Sequence, residues 1–251
     1  MSKNLAITCL SKGYSNHDEY VEIISRNKSI LKYIGKDYPI LIFNEGNISI
    51  NHQNYISSFT PELKFEFINI EEIWNSQYPY SSMCRFFSYY IWNYCKHYDY
   101  VMRIDTDCEI IQGENVLSNL ENKNVYYKTV SWPWGENHPM TNISLPQFIE
   151  SITNIDRNNF YHKFPYTNVY LSQVNFWLDS EVNRILKNIC LSDLQLINRW
   201  GDLPILGSLL NIFAKENIGT LQLKYKHKSH NCIVDCINQK VIDGNNIVWN
   251  C

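Results

Sequence analysis

Asp105 and Asp107 stand one residue apart at the end of the apolar run Tyr100 to Ile104. The run is short, rich in Val, Ile, Met and Tyr, and has Arg103 as its only charge, so it reads as a buried β-strand. Side chains alternate with period two along an extended backbone, which predicts that both carboxylates leave the strand end on the same side. In an open α/β sheet, ligands bind in the crevice outside the carboxyl ends of the strands. Two hard oxygen ligands there suit Mg²⁺ or Mn²⁺, and such a cation in turn holds a diphosphate. The chemistry this implies is transfer from a nucleotide sugar. Asp-x-Asp is also common in solvated turns, so the pair needs support from the rest of the chain. A second metal reading uses His227, His230, Cys232 and Cys236, four zinc-capable side chains within ten residues. Their spacing departs from the separated ligand pairs of structural zinc sites.

The elements that must position the acidic pair alternate along the chain. Strands are predicted at Leu5 to Leu10, Tyr38 to Phe43, Phe65 to Ile68, Tyr100 to Ile104 and Val125 to Val130. Amphipathic helices are predicted at Asp18 to Tyr33 and Ser81 to Lys96, the second with an aromatic-rich face for the sheet. Such alternation predicts a mainly parallel sheet with helices on both faces. Ser131 to Pro146 is rich in Pro, Gly and Asn, reads as a long loop, and is placed over the acceptor side of the site. Beyond it, Gln147 to Ile155, Ser180 to Ile189 and Leu203 to Ala214 read as helices, and Asn168 to Trp177 as extended. From Thr220 onward short strands alternate with turns, ending at Ile247 to Trp249.

A chain of 251 residues buries one substantial core, so a single domain spanning 1–251 is expected. Its halves would be 1–110 for the nucleotide sugar and 111–251 for the acceptor. The 45% apolar and 19% charged composition excludes wholesale disorder. A net charge of −3 with scattered basic residues argues against a nucleic-acid partner. The aromatic fraction of 14% fits an enzyme that stacks sugar rings, although most rings are expected to be core. The N-terminus has no signal-peptide pattern, and no apolar stretch is long enough to span a membrane. A cytoplasmic protein is therefore expected, in a host's cytoplasm if the source is viral. The eight cysteines would be thiols, and the sequons at Asn47 and Asn142 unglycosylated. Heavy use of Asn, Ile, Lys and Tyr is what an AT-rich genome encodes.

Four segments carry a family resemblance. Tyr80-Ser-Ser-Met-Cys-Arg-Phe-Phe-Ser88 resembles the Y-x-x-M-C-R-F-x-S stretch of fungal α-1,2-mannosyltransferases, glycosyltransferase family 15. Tyr100-Val-Met-Arg-Ile-Asp-Thr106 is similar to that family's Y-x-W-R-V-E-P. Arg199-Trp-Gly-Asp-Leu-Pro204 resembles R-W-G-D-A-P, and Lys224-Tyr-Lys-His227 with Cys232 resembles Y-Y-H followed by Cys. Phe43-Asn-Glu-Gly46 adds a similarity near the start. Order and spacing agree over most of the chain.

The resemblance implies a GT-A fold, a GDP-mannose donor, Mn²⁺ (or Mg²⁺), retention of anomeric configuration, and a saccharide or glycoprotein acceptor. It implies Asp105, Asp107 and His227 as metal ligands. Around the donor it implies Arg85 on phosphate, together with Tyr80, Asp105, Thr8 and Glu45. Arg85 could instead pair with a carboxylate, and Tyr80 could be core. Asp202 is either a proton acceptor at the acceptor hydroxyl or a helix N-cap. Trp200 is either a sugar platform or core, and Asn168 is expected near the acceptor. Tyr170 falls where the family has a Glu proposed as nucleophile or stabiliser of the cationic sugar. A phenol ionising near pH 10 replaces a carboxylate poorly. Three readings stay open: a front-face reaction without an enzyme nucleophile, a different sugar or stereochemistry (with a donor such as a UDP-sugar), or a catalytically impaired binding protein. A metal-dependent nucleotidyltransferase would need a basic Gly-rich loop that Ser11-Lys12-Gly13 does not supply.

Overall fold

The computed structural model describes residues 4–113, 124–132, 139–157, 164–243 and 246–250. Three apolar runs and one alternating segment form parallel strands: β1 (Leu5–Leu10), β2 (Pro39–Asn44), β3 (Lys64–Asn69, the alternating one, at the edge) and β4 (Tyr100–Ile104). Their order β3-β2-β1-β4 is one half of a doubly wound sheet. Helix α1 (Val21–Tyr33) joins β1 to β2, and α2 (Ile50–Ser58) joins β2 to β3. The sequence pattern did not indicate α2, because its apolar periodicity is weak and it buries only Ile56. Its start is fixed by Ser49, whose Oγ accepts from the His52 N–H.

The aromatic helix before β4 is not regular. It runs as α3 (Pro79–Arg85), a π turn over Phe86–Tyr90, and α4 (Ile91–Tyr94). A π turn rotates the side chains around it relative to an α-helix, and such turns collect at functional sites. Here Phe87 lies with its ring centroid 3.4 Å from the Arg103 Cζ.

Past β4 come β5 (Cys108–Gly113), β6 (Tyr126–Lys128), β7 (Ser131–Trp132) and α5 (Pro139–Thr153). Next are β8 (Phe164–Pro165), β9 (Val169–Gln173) and α6 (Val174–Leu178), followed by α7 (Ser180–Cys190), α8 (Asp193–Ile197) and α9 (Asp202–Phe213). The chain ends with β10 (Ile218–Thr220), β11 (Leu223–His227), β12 (Cys232–Asp235), β13 (Lys240–Asp243) and β14 (Asn246–Asn250). β9 inserts antiparallel between β4 and β6, giving a seven-stranded sheet in the order β10-β6-β9-β4-β1-β2-β3. β5 leaves this sheet and edges an antiparallel one, β14-β13-β12-β11-β5.

Two expected boundaries are corrected. The extended segment 168–177 stops at Gln173 and turns into α6, because a helix lets Trp177 stack on Trp92 at 5.0 Å while its indole N–H donates to Ser172 Oγ at 2.7 Å. Within the expected loop 131–146, Ser131–Trp132 is a strand and α5 already begins at Pro139, which is suited to a helix's first turn. Residues 133–138 of that loop lie outside the described residues.

Alternate residues of the buried strands feed two cores. Leu5, Ile7, Cys9, Tyr100, Met102 and Ile104 pack against α1 and the second sheet. Ala6, Leu41, Phe43 and Val101 pack against the π turn, α7 and α9. Burial on both faces explains why these strands read as unbroken apolar runs. The mainly parallel sheet with helices on both faces is the architecture that the strand–helix alternation predicts. Among the described residues no helix is long and apolar enough to cross a membrane.

Candidate active site

A cavity of about 710 Å³ opens beyond the ends of β1, β2 and β4, where Leu10, Glu45 and Asp105 enter its wall. β4 ends at Ile104, so Asp105 and Asp107 belong to a tight turn closed by the Cys108 N–H donating to Asp105 O at 3.0 Å. The turn is tied to both sheets. The Asp105 N–H donates to Asn168 O at 2.9 Å, and the Lys228 N–H to Asp107 O at 2.9 Å. Strand alternation therefore does not govern the pair, and its two carboxylates face different partners.

Asp105 turns to Arg103. The guanidinium grips it at two points, Nε to Oδ1 at 2.6 Å and Nη2 to Oδ2 at 3.0 Å, and reaches Asp202 Oδ2 with Nη1 at 2.5 Å. Arg103 is 3% exposed, and the Phe87 ring covers its flat face. One buried cation thus joins two acids 97 residues apart (202 − 105). Burial pushes the Asp105 carboxyl upward, and the paired guanidinium only partly offsets this. Asp202 opens α9 but does not cap it, since the N-cap position is Gly201.

Asp107 turns to His227, at the end of β11, with Oδ2 3.1 Å from Nε2, and also accepts from the Ser229 hydroxyl. Burial alone would raise the Asp107 carboxyl, but the His227 and Ser229 hydrogen bonds outweigh it and hold it at about 2. Burial likewise opposes a charged His227, yet its contact with Asp107 lifts the imidazole to about 9. Among the described residues, the one group with metal-ligand spacing is Asp107, Cys108 and His227, whose ligand atoms lie within 4.8 Å of one another. The Cys108 thiol is pushed well up by burial and by the adjacent acids. A carboxylate beside an imidazole fits Mn²⁺, for which a soft thiolate is the less suited ligand. His230 packs on His227 with the rings tilted and their centroids 4.4 Å apart, but among the described residues it joins no ligand group, nor do Cys232 and Cys236.

The remaining expected residues divide between wall and core. Tyr80, Glu45 and Asn168 line the cavity. Asn168 Nδ2 lies 3.2 Å from both ring nitrogens of His227. Burial raises the Glu45 carboxyl, opposed by Lys12. Thr8, Arg103 and Tyr170 form one row across β1, β4 and β9. Thr8 and Tyr170 are fully buried beneath the cavity, and neither hydroxyl has a hydrogen-bond partner. The Tyr170 ring stacks on Tyr126 at 5.1 Å. Trp200 is also fully buried, donating to Ser144 Oγ at 2.8 Å and packed on Phe148. Arg85 does not line the cavity; its Nε donates to Gln195 Oε1 at 3.0 Å. Arg103, Lys12, Tyr166 and Ser229 belong to the wall without having been singled out from the sequence. Only Arg103 had a signal, as the sole charge in a strand that otherwise reads as core.

No protein-family model matches the sequence, and no curated protein matches it by sequence. Solved structures match by shape. Mannosyltransferase Ktr4p from S. cerevisiae matches with a TM-score of 0.75 at 19% identity, over 100% of this chain and 76% of that one. Core-mannan synthase A (CmsA/Ktr4) from Aspergillus fumigatus, in a Mn/GDP form, matches at 0.73 with 16% identity, over 89% and 74%. Mouse xyloside xylosyltransferase 1 matches at 0.56 with 10% identity, over 87% and 85%. The fungal mannosyltransferases that the sequence motifs resemble are thus structural neighbours, and at these identities the likeness is one of fold. The chain has the GT-A fold of these glycosyltransferases.

Proposed function

We propose that this chain is a metal-dependent glycosyltransferase that moves a hexose from a nucleotide sugar, with GDP-mannose the favoured donor, to a saccharide hydroxyl. The observation that carries this reading is the charge of the cavity. Five carboxylates line it (Glu22, Glu45, Asp105, Asp107 and Asp202) against Lys12, Arg103 and the protonated His227, and Arg103 is already engaged by two of the acids and His227 by a third. A diphosphate entering such a wall is repelled unless a divalent cation accompanies it. Asp107 and His227 would hold that cation, with Asp105 beside them, and the bound ion would stabilise charge on the departing nucleotide.

The chain's own residues then do three things. Arg103 fixes the position of the Asp202 carboxylate, so Asp202 can take the proton of an acceptor hydroxyl. Lys12 offers a cation to the donor's phosphates from the loop after β1. Tyr80 and Asn168 supply polar groups to the sugars. Tyr170 has no surface in the cavity and so is assigned no contact with the sugar. This favours a front-face reaction, in which the nucleotide leaves and the acceptor attacks on one face of the ring.

The test is nucleotide release and product formation with Mn²⁺, a panel of GDP- and UDP-sugars, and mannoside acceptors. Turnover with a GDP-sugar is expected, and alanine at both Asp107 and His227 should abolish it. Full activity in that double variant would sink the reading. Donor binding with no turnover under any condition would leave a binding protein instead.

A further inference from the structure

A second groove, about 490 Å³, lies beside the cavity and shares Pro79 and Tyr80 with it. One wall is the start of α3 with Tyr78, Pro79 and Tyr80, and the other is the end of α8 with Ile197 and Arg199. Tyr78, Tyr80 and Ile197 are 41%, 46% and 70% exposed, a concentration of large apolar surface left open to water. The size falls within the ~300–1,000 Å³ of small-ligand sites.

The groove is braced from beneath. Gln195 is fully buried and ties the two walls together, its Nε2 donating to Ser81 O at 3.2 Å and to Trp200 O at 3.1 Å. Arg85 holds the other end of that amide, so the residue for which the motif implies a phosphate stiffens this groove instead. Arg199 adopts a left-handed backbone, φ 52°, which few non-glycine residues do. Its guanidinium lies over the Tyr80 ring with Cζ 4.7 Å from the centroid. Backbone strain of this kind persists where the surroundings over-determine it, as at ligand clamps.

We propose that this groove holds the sugar residue next to the one that accepts the transferred hexose, in a neutral oligosaccharide acceptor. The inference rests on the transferase reading of the cavity. Tyr80 is the shared wall, and its hydroxyl stands 3.2 Å from where a Cβ on Gly201 would lie, one residue before Asp202. A ligand crossing Tyr80 therefore has one ring at Asp202 and the next in the groove. The lining suits a sugar: tyrosine faces for its C–H surface, with Gln77, the Tyr78 hydroxyl and Arg199 for its hydroxyls. Among the described residues Arg199 is the only charge in the lining and no acid lines the groove with it, so neither a basic peptide nor a polyanion finds a matched partner.

The test is calorimetric binding of methyl α-mannoside, mannobiose and mannotriose to the full chain with GDP and Mn²⁺, followed by acceptor kinetics. Affinity is expected to rise about 10-fold from one sugar to two. Tyr78→Ala and Ile197→Asp, verified as folded by circular dichroism, should each shrink that gain to about 2-fold or less. No gain in the wild type, or a gain surviving in both variants, overturns the proposal. So does competition by a neutral peptide of equal size that the disaccharide cannot match. Failure of the transferase reading looks different: no donor is turned over, while chain-length-dependent binding remains measurable.

Discussion

Arg103 touches both the first acid of the DTD pair and Asp202, which makes it the residue whose chemistry is hardest to replace. A lysine keeps the charge but cannot grip Asp105 at two points while reaching Asp202. Arg103→Lys is therefore expected to lower kcat about 100-fold through misplacement of Asp202, with a smaller change in donor KM. Equal losses in both parameters, measured in steady state, would contradict this positioning role. His227 gives a pH dependence with a definite sign. Its proton must leave before the ring nitrogen can take a metal, and Asp107 holds that proton up to about pH 9. Mn²⁺ affinity should thus rise about tenfold per pH unit between 6 and 8, and level off near 9. Asp107, held at about 2, is ionised throughout that range. Calorimetric titrations at three pH values check this, and a flat profile would mean that the histidine is no ligand. Without metal the same shift stabilises the fold below the imidazole's ordinary pH range. That contribution is lost as pH rises through about 9.

At the scale of elements, the site depends on where regular structure stops. The turn after β4 sends Asp105 and Asp107 to different partners, and the π turn brings Phe87 under Arg103. Helix α9 holds Asp202 at its first position and packs closely on β8. A Cβ on Gly207 would meet Phe164 Cδ1 at 2.1 Å, so only glycine permits that approach. Gly207→Ala should destabilise the fold by about 1–3 kcal/mol in a denaturant titration, although alanine is the better helix former. On α7, the Asp179 carboxylate accepts from the Glu181 and Val182 N–H groups. Asp179→Ala should lose about 1 kcal/mol in the same titration, with catalysis unaffected.

At the scale of the molecule, the cavity lies on the seam between two sheets. The seven-stranded sheet supplies Arg103, and Asn168 directly precedes its strand β9. The antiparallel sheet supplies His227, registered opposite Cys108. A cation shared between Asp107 and His227 would fasten that seam. Mn²⁺ with GDP should raise Tm, the gain reaching about 2.7 kcal/mol at a hundredfold excess over Kd. EDTA should reverse it, and an unchanged melting curve would argue against a metal site spanning the seam. The sequence carried the central strands well, because neighbours such as Ala6 and Ile7, or Val101 and Met102, are buried on opposite faces of a parallel sheet and read as unbroken apolar runs. It carried α2 poorly, since that helix buries only Ile56 and leaves little periodicity.

Local pattern and motif resemblance, then, were enough for the α/β class and the GT-A expectation, and they pointed to Asp105, Asp107, Asp202 and His227, which the fold brings to one cavity. Residue type and spacing along the chain carry that information directly. Which acid faces which partner was decided only by folding, because Arg103 and Asp202 are 99 residues apart and His227 comes from another sheet. Thr8, Tyr170 and Trp200 entered the core, and Arg85 a bracing bond, for the same reason: a side chain's partners depend on strand register and helix packing. No spacing in the sequence records those.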